Sequence, residues 1–440
     1  MAVYQNREAF IPYRRSDLVE LCIQEGKLAP SDVQKFRDFC QILMAYYHFH
    51  FHESLEIIKD NYAPFNPDAD TKFTSEPTPS QRAQMADTVI AEFRHIIEEA
   101  NYFALTKDSL ERAFAEKSLI DVKTNINLDD FEYIYCYSRG DIYTEITTKK
   151  FWVRQKTQTI NAFERVALLI KFKDNHHFTA QNLKLDSLNF TPGKIYVYIY
   201  KNIPKLDIEL LFPNIKIGMT WKDRLLLGIP AVGAAIPLGL RLVPQLLLIV
   251  GIILYYTGIP GLEAWKANPQ QVSNFMPVLA AMLSLTMTLG GFAFKQYNDY
   301  QNKRIKFQKK VTETLFFRNL ANNASAFHAL IDEAEEEQCK QIILVYYHLL
   351  THNASLTPEQ LDNLIEEWME AKFGVKIDFD IHITLHHLET IRGKLVREGE
   401  DATDVPELPL LSYDEYGTCR VLPLADARTI IDFVWDNAFR

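Results

Sequence analysis

The chain has 440 residues, of which 48% are hydrophobic and 24% charged, and its net charge is -10. This length allows two or three domains, and the composition is typical of a chain that buries a core. The negative charge argues against a general nucleic-acid-binding protein, because such binding rests on lysine and arginine that displace counterions from phosphates. We therefore expect no nucleic acid among the partners.

The cysteine pattern indicates a reducing compartment. The five cysteines are Cys22, Cys40, Cys136, Cys339 and Cys419, and no two form a CxxC pair. An odd, scattered set is neither a disulfide framework nor a zinc-ribbon pattern, so we expect reduced thiols in the core. The opening residues, MAVYQNREAFIPYRR, lack the apolar stretch of a signal peptide and the serine-rich character of a transit peptide. The sequence therefore predicts no cleaved leader.

Residues 1–220 are predicted to form an N-terminal α+β soluble lobe. Ser31 and Gln34 are predicted to form a capping box before a helix through Ile58, and Thr78-Pro79-Ser80-Gln81 opens a second helix to about Asn101. Alternating patterns rich in Tyr, Ile, Val and Phe then predict strands at Asp130–Tyr137, Arg154–Thr159, Val166–Phe172 and Lys194–Lys201. Helices followed by a cluster of strands predict an antiparallel sheet in this lobe.

The next part of the chain is strongly apolar. Residues 242–260 and 275–294 contain no charged residue, and at 1.5 Å per residue each covers roughly the 30 Å of a bilayer core. Long helices of soluble proteins almost always carry a polar stripe, so these two segments predict a transmembrane hairpin at 242–294. The preceding segment, 221–241, is short and contains Pro230 and Pro237. It suits an interfacial or re-entrant helix, with a third span as the alternative.

Basic residues flank the predicted hairpin on both sides. They are Lys222, Arg224 and Arg241 before it and Lys295, Lys303, Arg304, Lys306, Lys309 and Lys310 after it. The positive-inside rule then places both soluble lobes in the cytoplasm. Residues 295–310 are predicted to form a basic juxtamembrane helix, which either contacts anionic head groups or is a solvated face.

Residues 311–440 are predicted to form a mostly helical C-terminal lobe. A helix from about Ala326 to Leu350 precedes one that is capped by Thr357-Pro358-Glu359-Gln360 and runs to about Phe373. The remaining predicted elements are strand Val375–Phe379, helix Asp380–Arg392, strand-like Lys394–Arg397 and Thr418–Leu422, and helix Leu424–Phe439. Three helices and then a hairpin is the order of a winged-helix domain. The candidate recognition helix, which begins at Asp380, has no lysine or arginine before Arg392, so we expect no specific DNA binding.

Several stretches resemble a known family. They are REAFIPYRRSDLVELC (7–22), IPKLDIELLFPNIKI (203–217), KKVTETLFFRNLANN (309–323), EEEQCKQIILVYYHLL (335–350) and LPLADARTIIDFVWDNAF (422–439). They resemble the uncharacterised membrane family labelled domain of unknown function 3754, whose animal member is transmembrane protein 143. The resemblance implies two membrane spans, occurrence in cyanobacteria and eukaryotic organelles, and no known reaction. Without a transit peptide, it points to a bacterial, cyanobacterial protein of the plasma or thylakoid membrane.

The sequence contains no catalytic motif. GxxxxGK[ST], GxGxxG and GxSxG are absent, so phosphate cradles and nucleophile elbows have no support. Histidines repeat at i,i+4 in three pairs, which are His48/His52, His348/His352 and His382/His386. No pair has the third ligand that a zinc site needs. We therefore expect no metal or other cofactor and assign no catalytic residue.

A few polar residues are candidates for interaction or coupling. Tyr137–Asp141 is predicted to be a turn, in which Arg139 is a candidate anion ligand. Asp207 and Glu209 lie in a segment that is either a coupling element between sheet and bilayer or a capped helical turn. Arg318 and Asn319 complete this set.

One set of small residues predicts helix packing. Ala280, Ser284 and Thr288 recur every four residues on the second predicted span, so they share one helix face. This face is expected to pack against the first span of the same chain, or against a second copy in a homodimer.

Three classes of function remain open. We favour a membrane-tethered interaction or scaffold protein with the lipid bilayer and unidentified proteins as partners, because winged-helix lobes often bind partners. The second class is a membrane-surface enzyme, for which the sign would be a deep polar pocket with perturbed carboxylates between the lobes. The third is a pore or transport accessory. It would have to be an oligomer, because two uncharged spans in one chain provide no path for an ion.

Overall fold

The computed structural model describes residues 7–8, 10–106, 110, 123–150, 154–218, 405–437 and most of 284–395. Within the last range, the positions left out are 285–286, 288–289, 292–293, 296, 303, 307, 310, 313–314, 353, 375 and 379. The chain divides into two compact units. Unit 1 comprises Met1–Ala115, Leu128–Ile208 and Phe317–Arg440, and unit 2 comprises Glu116–Asn127 and Glu209–Phe316.

The described residues combine helices with antiparallel strands, as the predicted α+β class requires. The helices are α1 Arg15–Gln24, α2 Val33–Tyr62, α3 Pro79–Glu99, α4 Asn175–Ala180, α5 Asn323–Thr351, α6 Pro358–Phe373, α7 Ile381–Thr390 and α8 Leu424–Asn437. The strands are β1 Arg7–Glu8, β2 Phe103–Ala104, β3 Lys123–Asn125, β4 Phe131–Lys150, β5 Arg154–Phe172, β6 Ile195–Pro204, β7 Lys216–Gly218, β8 Asn319–Asn322, β9 Lys376–Ile377, β10 Arg392–Lys394, β11 Glu407–Pro409, β12 Leu411–Tyr413 and β13 Cys419–Val421.

The main sheet of unit 1 has five antiparallel strands in the order β2-β4-β5-β6-β8. Its two longest strands correct the sequence reading. The predicted turn Tyr137–Asp141 lies inside β4, and the two strands predicted between Arg154 and Phe172 are one strand, β5. Gly140 has a φ of 71°, and the pairing passes from Arg139 to Asp141 across it. A glycine in this conformation inside a strand marks a local irregularity and not the end of the strand.

Helix α5 lies at the centre of unit 1. It packs against α1, α2, α3, α7 and β6, and most of its side chains from Ala334 to His348 are buried. Aromatic pairs join it to the N-terminal helices, with ring centroids 4.2 Å apart for Phe39 and Tyr346 and 5.0 Å apart for Tyr62 and Phe327. Residues from the two predicted lobes therefore share one core.

The capping boxes have mixed outcomes. Thr78 and Thr357 each accept a hydrogen bond from the backbone N–H three residues later, and the Gln side chain there accepts one in return, as predicted. Ser31 and Gln34 form no such box, because α2 begins after Asp32 without a side-chain cap.

The C-terminal part keeps the predicted order of elements. Helices α5, α6 and α7 are followed by the antiparallel hairpin β10–β11, a second hairpin β12–β13, and α8. Between α6 and α7, β9 pairs in parallel with β1, so the N-terminal end of the chain joins this part as well.

Unit 2 is described in part. Strands β3 and β7 form an antiparallel pair, and the residues described between Ser284 and Phe316, including much of the basic segment 295–310, are helical.

The prediction of an integral membrane protein is wrong. Across the part of the chain that the structure describes, no helix has both the length and the apolar character needed to cross a bilayer. The long helix α2 carries charged residues near both ends, and α5 carries six between Asp332 and Lys340, which a bilayer core disfavours. The same finding contradicts the predicted bacterial plasma or thylakoid membrane location with cytoplasmic lobes. Segments 221–241 and 242–260, and most of 275–294, lie outside the described residues.

Candidate functional site

A cleft of about 730 Å³ in unit 1 is the candidate site. One wall comes from the end of α3 and from β2, and the other from α6 and the segment that leads from β9 into α7. The lining residues are Glu98, Asn101, Tyr102, Phe103, Glu359, Asp362, Asn363, Asp378, Asp380, Ile381, His382 and Ile383.

The first wall is held where α3 ends. Asn101 has a φ of 57°, a left-handed conformation that asparagine tolerates and that stops a helix. Its Nδ2 donates a hydrogen bond to Glu337 Oε1 at 3.2 Å, and the Tyr102 hydroxyl donates one to Glu333 Oε2 at 2.7 Å. Both acceptors belong to α5, so the central helix positions this wall.

The second wall is positioned by helix ends and again by α5. The Thr357 capping box begins α6, and Gly374, with a φ of 66°, ends it. Asp380 begins α7 by accepting a hydrogen bond from the His382 N–H at 3.2 Å. On the buried side of α7, Thr384 Oγ1 donates to Gln341 Oε1 on α5 at 2.9 Å.

The cleft is strongly acidic. Five of its lining residues are carboxylates, and none is a lysine or arginine. Burial, followed by repulsion from Glu366, Asp378 and Asp380, raises the pKa of Asp362 to about 6, although His382 opposes the shift. Asp362 Oδ1 is buried and makes no hydrogen bond. Among the residues that line the cleft, carboxylates therefore outnumber the single basic side chain, His382.

A buried polar layer lies behind the first wall, on α5. Glu337 accepts a hydrogen bond from the Ile11 N–H at 2.9 Å, and Lys340 Nζ donates one to the Ile11 carbonyl at 2.9 Å. Burial raises the pKa of Glu337, and the nearby Lys340 opposes that shift. These groups bind one another and the backbone, so they support the wall and are not open to a ligand.

Arg139, the predicted anion ligand, is engaged inside the protein. Its guanidinium lies 4.4 Å from the ring centroid of Phe10 and 4.7 Å from that of Tyr102. It also forms an ion pair with Glu333 at 3.2 Å and donates to the Ala100 carbonyl. With these partners Arg139 helps to fix the end of α3 beside the cleft.

The other predicted interaction residues do not line the cleft. Asp207 is buried in the 3-10 turn Lys205–Leu211, and its charge favours the protonated form of Arg318 against the burial that lowers the Arg318 pKa. Arg318 donates to the Asn202 carbonyl. Asn319 opens β8 opposite Tyr200. The structure thus brings Asp207, Arg318 and Asn319 to one end of β6.

Glu209 and the small-residue face belong to unit 2. Glu209 is buried. Ala280 and Thr288 lie outside the described residues, and Ser284 is helical and exposed.

The histidine pairs have separate surroundings. His48 contacts Glu335 at 2.9 Å, and His382 lines the cleft. His348 Nδ1 donates to the Leu344 carbonyl at 2.9 Å, and burial lowers its pKa to about 4. Among the described residues, no group of three or more His, Cys, Asp or Glu side chains is placed to hold a metal ion. The five cysteines are buried and free of disulfides.

The sequence reading missed the cleft itself. Its only local signal was the group of carboxylates around Asp378 and Asp380, and nothing near Glu98 in the sequence connects it with them. They meet because α3 and α7 both pack on α5.

Comparison with known proteins identifies part of the chain. Residues 163–325 match the model of the family described as "Protein of unknown function (DUF3754)". This confirms the resemblance to that family over these residues, whereas a likeness to transmembrane protein 143 is not shown. No solved structure matches the chain. The matched segment covers part of β5, all of β6 and β8, and the start of α5, so the cleft residues lie outside it.

Proposed function

We propose that this chain, in which residues 163–325 match the DUF3754 family, is an interaction protein whose acidic cleft binds a cationic segment of a protein partner. One observation carries the proposal: five carboxylates line the cleft, and no lysine or arginine is among the lining residues. Holding like charges together raises the free energy of the unoccupied cleft, and a bound cation lowers it.

The dimensions of the cleft favour lysine or arginine side chains over a single metal ion. A volume of about 730 Å³ suits a ligand far larger than an ion. Carboxylates bind lysine as a point charge and arginine through paired hydrogen bonds. Phe103, Ile381 and Ile383 add apolar surface, against which the aliphatic stems of those side chains can pack.

Binding should depend on pH near neutrality. The pKa of Asp362 is about 6, so this carboxyl loses its proton as the pH rises through that value. The cleft then gains one negative charge, and affinity for a cationic ligand should increase. The increase should be absent in Asp362→Asn.

The test is a calorimetric titration of the full-length protein with a short peptide rich in lysine and arginine. Glu359→Gln combined with Asp362→Asn should weaken binding by tenfold or more, since hydrogen bonds to charged groups contribute about 1.5–3 kcal/mol. The matched control is Glu53→Gln with Glu367→Gln, because both residues are exposed and lie outside the cleft. Equal affinity for the wild type and the cleft variant would refute the proposal.

A second candidate is an acid–base enzyme, which the pKa of Asp362 favours. A carboxyl that titrates near pH 6 in a cleft is suited to proton transfer at neutral pH. Three results together would support this candidate over simple binding. The wild type would turn over a bound molecule, its rate would rise with pH around a pKa near 6, and Asp362→Asn would lose the activity.

A further inference from the structure

We infer that the cationic segment is supplied by a second copy of this chain, namely by the paired ends of β4 and β5. This inference rests on the proposed function of the cleft and names its partner. Residues 143–150 and 154–161, here called the ribbon, are cross-strand partners from Tyr143 and Asn161 to Lys150 and Arg154.

The ribbon carries the opposite charge to the cleft. Its sequence contains Lys149, Lys150, Arg154 and Lys156 against the single acidic residue Glu145. These four cations occupy the last three cross-strand pairs, in a chain whose net charge is -10. In the strand pairing, Lys150 is directly opposite Arg154. An acidic partner would complement this concentration of positive charge.

The ribbon also lacks neighbouring strands within the described part of the chain. Strand β2 pairs with β4 only at Tyr137 and Ser138, and β6 pairs with β5 only from Ala162 to Lys171. A two-stranded hairpin is marginally stable by itself in water, and exposed strand edges are usually covered. A binding partner would stabilise the ribbon.

The ribbon cannot reach the cleft of its own chain while it stays extended. Phe103 lines the cleft and pairs with Ser138, which fixes the cleft close to that point of β4. Lys150 lies twelve residues further along the same strand, a distance of about 40 Å at ~3.4 Å per residue. The contact must therefore be made between two chains.

Two copies can each bind the ribbon of the other copy. If the ribbon of each copy enters the cleft of the other, the assembly is a closed dimer with twofold symmetry, the commonest form of homo-oligomer. Nucleic acid is a weaker candidate for the ribbon, because the net charge of the chain disfavours it.

The test is analytical ultracentrifugation of the full-length protein with two variants. The ribbon variant replaces Lys149, Lys150, Arg154 and Lys156 with Gln. The cleft variant replaces Glu98 and Glu359 with Gln and Asp362 with Asn. The wild type should dimerise at low salt and dissociate as salt screens the charges, whereas each variant alone should dimerise at least tenfold more weakly.

Mixing the two variants provides the decisive result. The ribbon variant keeps an intact cleft and the cleft variant keeps an intact ribbon, so a mixture should form a one-to-one dimer that neither forms alone. The control for the ribbon changes Lys295, Arg304, Lys306 and Lys309 to Gln, which removes the same charge from exposed helical positions. The control for the cleft changes Glu53 and Glu367 to Gln and Asp60 to Asn. Both controls should dimerise like the wild type, and thermal melting should show that all variants fold.

Other outcomes would overturn the inference. If the wild type stays monomeric while a basic peptide still binds the cleft, the second copy is not the partner and the proposed function stands. If the cleft binds neither a second copy nor a basic peptide, the inference and the proposed function are both refuted. A dimer that the cleft variant leaves unchanged would place the ribbon elsewhere, and an oligonucleotide bound by a monomeric wild type and lost in the ribbon variant would assign the ribbon to nucleic acid.

Discussion

At the scale of single residues, Arg139 and Asp362 show that the neighbours of a charged group determine whether it can attract a ligand. The guanidinium of Arg139 lies between two aromatic rings and against Glu333, so its charge is balanced inside the protein. Asp362 has carboxylates as neighbours, and its Oδ1 makes no hydrogen bond. Of the two residues, only Asp362 has charge left to attract a ligand.

Replacing Asp362 with Asn should stabilise the protein at neutral pH. The pKa of this carboxyl rises from 3.8 to about 6 on folding, so the folded state favours the protonated form. The wild type therefore carries a destabilising charge above pH 6, and this cost disappears below about pH 4. We expect Asp362→Asn to gain about 1 kcal/mol at pH 7.5, since partial exposure screens the effect, and almost nothing at about pH 3. Urea unfolding at the two pH values measures it.

Asp414 provides the opposite case and serves as a control. Hydrogen bonds from the Thr418 hydroxyl and from the backbone N–H groups of Thr418 and Tyr416 lower its pKa to about 2. Its charge stabilises the fold above pH 3.8, and this contribution is lost as the pH falls through about 2. Asp414→Asn should therefore destabilise the protein at pH 7.5. A loss of stability in Asp362→Asn at that pH would contradict our reading of the cleft.

At the scale of elements, two of the three predicted capping boxes form and the third does not. Thr78 and Thr357 stand before a proline, and both form complete capping boxes. Ser31 lacks that proline, and Asp32, the residue before α2, accepts a hydrogen bond from Lys35 Nζ and does not cap the helix. The proline at the first helical position fixes the backbone of the first turn, which explains why the two boxes that contain it form.

Replacing Thr357 with Ala should destabilise the protein by about 1 kcal/mol, because the N–H groups of the first turn of α6 lose their acceptor. Ser31→Ala is the matched control and should change stability by much less, since its side chain caps no helix. Thermal or urea unfolding of both variants checks this. Equal losses would mean that the box at Ser31 forms in solution.

At the scale of the whole molecule, α5 joins parts of the chain that lie far apart in sequence. Phe39 and Tyr62 of α2 contact Tyr346 and Phe327 of α5, and the cleft is built on the same helix. The N-terminal helices, the main sheet and the C-terminal helices therefore belong to one compact unit.

A fragment of residues 1–218 should not fold cooperatively without residues 317–440. Removing α5 exposes several large apolar side chains, and each costs about 1.5–3 kcal/mol against a usual total stability of 5–15 kcal/mol. Circular dichroism and urea unfolding of the fragment should show no sharp transition. Adding residues 317–440 as a second fragment should restore one. A cooperative transition in residues 1–218 alone would show that the N-terminal lobe is an independent domain.

Local sequence signals determined most of the elements correctly. The helices that begin at Pro79 and Pro358 follow from proline and a capping box, and the antiparallel sheet follows from alternating apolar residues. These signals act between residues a few positions apart, so one sequence is enough to find them. Gly140 is the exception, because a glycine inside a strand and a glycine in a turn look alike in sequence.

The location of the candidate site depended on the tertiary structure. The apolar segments predicted an integral membrane protein, whereas no helix among the described residues is suited to cross a bilayer. Arg139 became a buried structural cation only through its ring and carboxylate partners. Glu98 and Asp362 are 264 positions apart in the sequence and meet because α3, α6 and α7 pack on α5. Contacts over such separations arise from packing of the whole core, which no local pattern encodes.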